Sequence, residues 1–320
     1  MYKGKKIGVF VPAFNEENQL GSVLETLPDY IDIAIVVDDA SKDRTAEVAR
    51  KYIKHDKRII LHQNEVNQGN GAGAKYTYQR LVEMGMDIIV PVGGDGQTEP
   101  QYMPRLLDPV IEGRCDFAKG NRFIEPAAYN KMPAYRYWGN IFVTMINKFS
   151  TGYYSMYDSL NGYYAITASM LKKLNFDKLG DRYEFENSFW IQLNIANARG
   201  LDVSIPPVYK DEKSSIKLGR TAFRTLKVLL KGFVERIFHK YILFNFSPIG
   251  LFYLVGALLT LFGVVFGIIV GITSIGPATP STATVMIAVV PFILGVQLWL
   301  QAIVLDIQAE PKALPEKTEL

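Results

Sequence analysis

The chain has 320 residues, of which 48% are hydrophobic and 21% charged, with a formal net charge of +3. This length predicts one large or two moderate domains, and the small net charge gives no reason to expect a nucleic acid partner. The single cysteine, Cys115, excludes an intrachain disulfide, which fits a reducing compartment, and three scattered histidines indicate no zinc site.

The first two thirds of the chain predict strands that alternate with helices. The strands are short apolar runs at Ile7–Val11, Ile33–Val37, Ile59–His62, Ile88–Val92, Phe117–Lys119 and Val203–Pro206. Helices are expected at about Leu20–Leu27, up to Tyr52, up to Met84, from Pro100 to Glu112 and from Tyr183 to Ala198. Such alternation predicts a parallel, doubly wound α/β sheet, whose ligands bind beyond the carboxyl ends of the strands.

Polar residues follow several of these strands at the ends where ligands bind. They are Glu16, Asp38, Asp39, Asp95 and Gln97. Asp95 and Gln97 stand one residue apart after two glycines, so a carboxylate and an amide oxygen can face one small volume. Oxygen ligands suit Mg²⁺ or Mn²⁺, and the glycines allow a diphosphate to approach the backbone. The simpler interpretation is a glycine-rich turn in which Asp95 starts the next helix.

The glycine-rich stretch Gly69–Ala74 is a weak candidate for a dinucleotide-binding turn. That fingerprint follows the first strand of its unit, where this chain has the glycine-free sequence PAFNEE. A tight turn close to a nucleotide, or plain packing of a helix on a strand, is favoured instead.

Arginines also follow the strand that begins at Phe117. Arg122 comes at its end, and Arg136 lies further along. Either could be an ordinary surface residue. At the end of a strand, however, a fixed guanidinium suits a phosphate group.

The C-terminal third predicts a membrane hairpin. Neither Pro248–Gly276 nor Pro277–Leu305 contains a charged residue, and each exceeds the roughly 20 apolar residues that span a bilayer. Two buried core helices are the alternative. The connection at Pro277–Thr284 carries no charge, whereas nine Lys or Arg lie between Lys210 and Lys240. The positive-inside rule therefore puts the N-terminal domain and the C-terminus in the cytoplasm.

Residues from about Leu218 to Phe246 predict an amphipathic helix. Its expected polar side carries Arg220, Arg224, Lys227, Lys231 and Arg236. Such a helix can lie in the bilayer interface with its cations toward anionic lipid, or can pack on the N-terminal domain.

The motifs VPAFNEE, VVDDASKD, GGDGQ and GNRF, together with the basic segment that follows them, resemble the family 2 glycosyltransferases with a GT-A fold. Within that family the chain resembles dolichol-phosphate mannose synthases and polyprenyl-phosphate glycosyltransferases. The resemblance covers about residues 5–217. It implies inverting transfer of a hexose from a nucleotide sugar, of the GDP-mannose or UDP-glucose type, to a polyprenyl phosphate.

The resemblance also implies roles for individual residues. The base and ribose would be bound by Pro12, Ala13, Asn15, Glu16, Asp38 and Asp39. Asp95 and Gln97 would hold Mg²⁺ or Mn²⁺ under the diphosphate. The acceptor phosphate would be bound by Arg122 and Arg136, with help from Lys210, Lys213 and Lys217, and Asp95, Arg122 and Arg136 would be the catalytic residues. The family usually has a carboxylate where this chain has Gly93, so the metal loses one customary ligand.

Two other functions remain open. A family 2 enzyme acting on a sugar hydroxyl needs a general base, for which Glu184, Glu186 or Asp158 would serve, although the Gln-x-x-Arg-Trp motif of processive synthases is absent. The second is a non-catalytic nucleotide-sugar-binding membrane protein, suggested by Gly93.

The expected organisation has four parts in a multi-pass membrane protein, which the sequence also allows to form a homo-oligomer. A catalytic domain at 1–217 precedes a juxtamembrane helix at 218–246, a two-helix hairpin at 247–307 and a cytoplasmic tail at 308–320.

Overall fold

The fold is that of a computed structural model. It describes residues 1–124, 134–158, 161–182, 184–206, 218–243, 246–275 and 279–316, and leaves the side chains of 134–140, 142 and 218–224 outside the description. The chain divides into two compact units, Met1–Gly232 with Pro311–Leu320, and Phe233–Glu310. The four-part division expected from the sequence stays a prediction.

The first unit is built on a seven-stranded sheet. Its strands are β1 (Ile7–Ala13), β2 (Ile33–Asp38), β3 (Ile59–Gln63), β4 (Ile88–Pro91), β5 (Phe117–Asn121), β6 (Tyr164–Thr167) and β7 (Gly200–Ser204). They lie in the order β3-β2-β1-β4-β6-β5-β7, and all neighbours pair in parallel except at β6, which is antiparallel to both β4 and β5. The predicted, mainly parallel α/β sheet is therefore confirmed.

Helices connect the strands of the first unit. They are α1 (Leu20–Glu25), α2 (Thr45–Ile53), α3 (Asn70–Glu83), α4 (Met103–Ile111), α5 (Ala134–Thr151), α6 (Ala168–Leu171) and α7 (Phe185–Ile195). A longer helix, α8 (Leu218–Arg236), then continues into a π-helical segment at Ile237–Leu243. The sequence had not predicted α5.

Apolar side chains cover both faces of the sheet, as a parallel sheet requires. Alternate residues of β1 point to opposite sides, so Ile7, Val9 and Val11 lie in one apolar cluster and Phe10 in another. Both clusters are almost fully buried. The apolar runs that predicted the strands thus supply side chains to both core clusters. The polar residues that follow them lie at the carboxyl ends of the strands.

The C-terminal segment of the described chain, after Glu310, belongs to the first unit. Lys312 forms a parallel β-bridge with Gly200 at the start of β7. The amide of Leu314 donates to the carbonyl of Arg114 at 2.8 Å, and Ala313 packs against the core. The first unit is therefore assembled from two separate stretches of the chain.

The second unit contains two long apolar helices, α9 (Pro248–Thr273) and α10 (Thr282–Gln308), with mean hydropathies of 2.6 and 2.1 over their most apolar windows. Both are long enough to cross a membrane. They pack closely at small residues: a Cβ at Gly295 would lie 2.6 Å from the amide nitrogen of Thr260. Glycine at such positions lets helix backbones approach each other.

One basic residue of the predicted amphipathic helix does not lie on its polar side. Arg236 is fully buried, and its Nη1 and Nη2 donate to the two oxygens of Asp306 at 2.7 Å. Tyr241 donates to the same carboxylate at 2.5 Å. The expectation for Arg236 is corrected, because a distant acid in α10 supplies the partner that a buried guanidinium needs.

Candidate active site

Two adjoining cavities open at the carboxyl ends of the central strands. One, called here the loop cavity, is lined by Pro12, Ala13, Glu16, Asp39 and Asp95, among others. The other, the arginine cavity, is lined by Asp95, Gln97, Arg122 and Glu186, among others. Their volumes are about 320 and 260 Å³, close to the lower end of the roughly 300–1,000 Å³ typical of small-ligand sites.

Asp39 organises one wall of the loop cavity. One of its carboxylate oxygens accepts hydrogen bonds from the side chain of Asn64 and the amide of Gln68, and the other accepts from the amide of Gly69, each at 2.8 Å. The residue is 8% exposed. A carboxylate that accepts three such bonds fixes the loop after β3, so Asp39 shapes the cavity as well as lining it.

The loop after β1 is fastened to the loop after β2. Asn15 lies at φ 58°, where Asn is among the residues best tolerated. Its amide donates to the hydroxyl of Ser41, and its side-chain oxygen accepts from the amide of Lys42, both at 2.9 Å. The amide of Glu16 donates to Thr45 at 2.8 Å. These contacts hold Glu16 at the cavity, while Asn15 supports the loop and is not among the residues that line it.

Asp38 is fully buried at the end of β2. One of its oxygens accepts from the amide of Ser41 at 3.0 Å, and the other has no hydrogen-bond partner among the described residues. The structure therefore brings Pro12, Ala13, Glu16 and Asp39 together along the loop cavity and puts Asp38 beneath them.

The turn after β4 brings Asp95 to the wall shared by both cavities. The amide of Gly94 donates to the carbonyl of Pro12 at 3.1 Å, and a Cβ at Gly94 would lie 2.6 Å from that oxygen. Only glycine permits this approach. The amide of Gln97 donates to Asp95 at 2.9 Å, and both residues reach the arginine cavity. Asp95 does not start a helix, since α4 begins at Met103.

Arg122 follows β5 and enters the arginine cavity as half of an ion pair. Its Nε and Nη2 each donate to an oxygen of Asp158 at 2.7 Å. Burial alone would raise the pKa of Asp158, but the hydrogen bonds and charge of Arg122 hold that pKa below its usual value. A carboxylate kept ionised in this way is a poor general base, which argues against Asp158 in that role.

Glu186 lies in the first turn of α7 and reaches the arginine cavity. Burial raises its pKa to about 7, helped by the charge of Asp158 and opposed by those of Lys119 and Arg122. A carboxyl group with this pKa can exchange a proton near neutral pH. Glu186 is therefore better suited than Asp158 to act as a general base.

Several predicted site residues lie outside the described part. Lys210, Lys213 and Lys217 belong to the undescribed segment 207–217, and Arg136 lies in α5 at a position whose side chain is not described. Among the described residues, no group of three His, Cys, Asp or Glu side chains could hold a metal ion.

Lys119, in β5, is a buried residue near the site that was not predicted from the sequence; its exposed fraction is 2%. A lysine inside a strand of a doubly covered sheet was the available signal, because a buried ammonium needs partners.

The glycines of Gly69–Ala74 serve packing against the loop before α7. Cβ atoms at Gly69 and Gly71 would lie 2.5 Å or less from the carbonyl oxygens of Asp181 and Gly180, respectively. A Cβ at Gly73, inside α3, would lie 3.2 Å from the side chain of Val37 on β2. The dinucleotide interpretation gains no support from these contacts.

Comparison with known proteins agrees with this fold. The glucosyl-3-phosphoglycerate synthase of Mycobacterium tuberculosis in complex with UDP superposes with a TM-score of 0.56 at 19% identity, over 72% of this chain and 81% of that one. The structure of its complex with Mn²⁺, UDP and glucosyl-3-phosphoglycerate superposes with a TM-score of 0.53 at 19% identity, over 72% of this chain and 80% of that one. The architecture is that of a GT-A glycosyltransferase.

Sequence comparison then gives the family. The family model for glycosyl transferase family 2 matches residues 8–177, more than half of the chain. An uncharacterized protein of Methanocaldococcus jannaschii is 31% identical over 73% of this chain and 93% of its own length. The UDP-N-acetylglucosamine–dolichyl-phosphate N-acetylglucosaminyltransferase of Methanococcus voltae is 30% identical over 56% of this chain and 76% of its own length. The chain belongs to glycosyl transferase family 2.

Proposed function

We propose that this glycosyltransferase moves a hexose from a nucleotide sugar to a polyprenyl phosphate at the membrane surface. The observation that carries the proposal is that Asp95 and Arg122 line the same cavity, in a chain with two helices long and apolar enough to span a membrane. The Methanococcus relative, whose name gives a dolichyl-phosphate acceptor, supports the same reaction class.

The nucleotide would occupy the loop cavity. Glu16 and Asp39 offer carboxylate oxygens to the hydroxyl and N–H groups of a ribose and a base, and Pro12 and Ala13 supply backbone and apolar surface. Asn15 and Asp38 would act by holding these loops. A diphosphate that extends past Gly93 and Gly94 would put the sugar in the arginine cavity.

The donor set at Asp95 fits a divalent cation that is held largely by its substrate. Asp95 contributes a carboxylate and Gln97 an amide oxygen, and Mg²⁺ commonly binds through one or two carboxylates plus phosphate oxygens and water. Such a cation, Mg²⁺ or Mn²⁺, would neutralise charge on the diphosphate as it leaves. Gly93 supplies no ligand, so more of the coordination would fall to the diphosphate and water.

The reaction needs no general base. An oxygen of the acceptor phosphate attacks the anomeric carbon, and the bond from that carbon to the diphosphate oxygen breaks, with its electron pair leaving on the diphosphate. The configuration at the carbon inverts. Arg122 would orient the acceptor phosphate and offset the repulsion between two anions. Arg136, Lys210, Lys213 and Lys217 are proposed to assist it.

Membrane attachment would keep this site near the lipid headgroups. On α8, the side chains of Leu226, Leu230 and Val234 recur at helical spacing and are 41–65% exposed, with Lys227 and Lys231 exposed beside them. This arrangement suits a helix in the bilayer interface. Two spanning helices would leave both ends of the hairpin on the same side of the membrane, which is proposed to be the cytoplasmic side. The bridge from Lys312 to Gly200 agrees with this arrangement.

The direct test is transfer by the purified chain in detergent. A polyprenyl phosphate acceptor is incubated with a panel of radiolabelled GDP- and UDP-sugars, with and without Mg²⁺ or Mn²⁺. Metal-dependent formation of a lipid-linked sugar with one donor is the expected result. No lipid product with any donor, together with transfer to a sugar hydroxyl, would overturn the proposal.

A second candidate, transfer to a sugar hydroxyl, is favoured by one observation. Glu186 reaches the arginine cavity with a pKa of about 7, which suits a general base. The two functions predict opposite pH profiles. A hydroxyl acceptor needs the ionised carboxylate, so its rate rises through pH 7, whereas ionised Glu186 repels an anionic phosphate acceptor and lowers its affinity as pH rises.

A further inference from the structure

Lys119 is a buried lysine that the proposed reaction does not use. It lies in the middle of β5 and is 2% exposed. Its ammonium donates to the carbonyl of Tyr157 at 3.0 Å and also to the carbonyl of Asp158. Taking an ammonium out of water is unfavourable unless it is hydrogen-bonded, so these carbonyls are a necessary part of its environment.

These two carbonyls belong to the segment that controls Arg122. Asp158 has a φ of 53°, a left-handed conformation that a residue with a side chain adopts only where its surroundings hold it. Its carboxylate is 1% exposed and binds both Nε and Nη2 of Arg122. The position of the guanidinium therefore depends on the backbone of Asp158, and that backbone is held by Lys119.

The same segment is held from a second side. The amide of Tyr157 donates to Asp202 on β7 at 2.7 Å, and the side chain of Asn121 donates to the same oxygen at 2.7 Å. Lys119 thus donates to the carbonyl of Tyr157, while Asp202 accepts from the amide of the same residue. Its ammonium also offsets the charge of Asp158, Asp202 and Glu186, three acids close to a cavity proposed to bind a phosphate.

We propose that Lys119 is a positioning residue for acceptor recognition: it holds Tyr157 and Asp158 so that Asp158 keeps Arg122 directed at the arginine cavity. The inference rests on the proposed function, in which Arg122 binds the acceptor phosphate. Lys119 itself touches no substrate. Loss of its ammonium should therefore weaken acceptor use in the same way as loss of the Arg122 charge, and should leave the nucleotide site intact.

The test compares Lys119→Met, which keeps the length of the side chain, with Arg122→Gln in the full chain in detergent. Each is assayed with a short-chain polyprenyl phosphate and the active nucleotide sugar from the donor panel. We expect Lys119→Met to raise the acceptor KM by about 10- to 100-fold, the range for one lost hydrogen bond to a charged group. Affinity for the nucleoside diphosphate, measured by calorimetry, should change by less than about twofold.

Lys75→Met is the matched control. Lys75 also donates to a backbone carbonyl, that of Leu179 at 3.4 Å, and pairs with Asp181, but it lines neither cavity. This variant should keep the wild-type acceptor KM. An unchanged acceptor KM in a well-folded Lys119→Met variant would overturn the proposal, as would parallel losses of stability, nucleotide affinity and acceptor use.

The double variant Lys119→Met/Arg122→Gln tests the route of the effect. If Lys119 acts through Arg122, the double variant is no worse than Arg122→Gln alone, because residues in one network are not additive. Additive losses would show that Lys119 acts by another route and would overturn the inference.

The proposed function and the positioning role fail in different ways. If Arg122→Gln changes nucleotide affinity and leaves the acceptor KM unchanged, Arg122 does not bind the acceptor. In that case the positioning role of Lys119 requires that Lys119→Met change nucleotide affinity as Arg122→Gln does. If Lys119→Met changes neither the acceptor KM nor the nucleotide affinity in the way that Arg122→Gln does, the positioning role is wrong.

Discussion

The loop cavity is held in shape by short polar side chains bound to backbone amides, whereas the arginine cavity is held by charged side chains bound to one another. In the first, Asp39 accepts two amide hydrogen bonds and one from Asn64. In the second, Asp158 binds Arg122 and its carbonyl accepts from Lys119. The first arrangement fixes the shape of the cavity wall, and the second fixes the position of the Arg122 charge.

This difference has a physical consequence for substrate binding. A nucleotide needs a rigid surface with hydrogen-bonding atoms at fixed positions, which backbone amides and small side chains provide. An anionic acceptor needs a positive charge that stays ionised and keeps its direction, which a buried carboxylate partner provides for Arg122. Variants should therefore separate the two halves of the site.

Asp95 lies on the wall common to both cavities, so its loss should have the largest effect. We expect Asp95→Ala to reduce transfer by about 1,000-fold, the upper range for one electrostatic contact of this kind, because Asp95 lines both cavities whereas the next carboxylate, Glu99, lines only the arginine cavity. Metal-dependent transfer and thermal unfolding are measured together. Glu83→Gln, a change at an exposed surface pair, is the control, and substantial metal-dependent turnover by folded Asp95→Ala would contradict the assignment.

Arg122→Gln should affect only the acceptor half of the site. The amide can still donate to Asp158, so the buried carboxylate keeps a partner while the positive charge is lost. We expect the acceptor KM to rise by about 100-fold, the upper range for a charged contact, with nucleotide affinity unchanged. Calorimetry and steady-state kinetics check the two parts, and the reverse outcome would show that the halves have been exchanged.

Asp39→Asn should affect only the nucleotide half. An amide cannot accept all three hydrogen bonds, so we expect the free energy of unfolding to fall by about 2 kcal/mol and nucleotide affinity to fall about tenfold. Asp43→Asn is the matched control, because Asp43 also binds backbone amides, those of Glu17 and Thr45, but does not line the cavity. The control should lose stability and retain affinity; equal losses of affinity in both would remove Asp39 from the site.

Glu186→Gln should produce the smallest change in transfer, which appears as a different pH dependence of acceptor affinity. In the wild type, Glu186 becomes anionic as pH rises through about 7, where it faces Lys119, Arg122, Asp158 and the bound phosphate. We expect acceptor affinity to fall about fivefold across this range, the effect of about 1 kcal/mol of repulsion, and the variant to lack this fall. A rate that rises through pH 7 and is abolished by the substitution would favour the hydroxyl acceptor.

The same shift affects stability. The pKa of Glu186 is raised from 4.5 to about 7, so between these values the folded chain holds a proton that the unfolded chain has released. The contribution of this group is present below pH 4.5 and is lost as pH rises through 7. Comparing the unfolding of the wild type and Glu186→Gln at several pH values isolates it.

The loop cavity was largely predictable from the sequence because its residues directly follow strands that the apolar pattern predicts. Apolar runs predict the strands, and parallel strands bring their carboxyl ends to one edge, so Glu16, Asp39 and Asp95 were expected to lie near each other. Four of the six predicted nucleotide residues line that cavity. Their roles in binding stay predictions.

The arginine cavity was less predictable because its contacts join distant stretches of chain. Asp158 lies 36 residues after Arg122, and Asp202 lies 81 residues after Asn121. No periodicity or motif predicts such contacts: Asn121 meets Asp202, for example, because β7 pairs in parallel with β5. Arg236 shows the same difficulty in the second unit. Its position in the helical pattern predicts an exposed residue, but it forms an ion pair with Asp306, 70 residues later.

The return of residues 311–316 to β7 affects the order in which the protein can be made. Ribosomes release chains at about 5–20 residues per second, and N-terminal domains generally fold first. Here the bridge from Gly200 to Lys312 cannot form until α9 and α10 have both been synthesised. The edge of the sheet at β7 therefore lacks this bridge while the two apolar helices are being synthesised. A water-soluble version is consequently better made by splicing residues 311–316 back through a linker than by stopping translation before the hairpin.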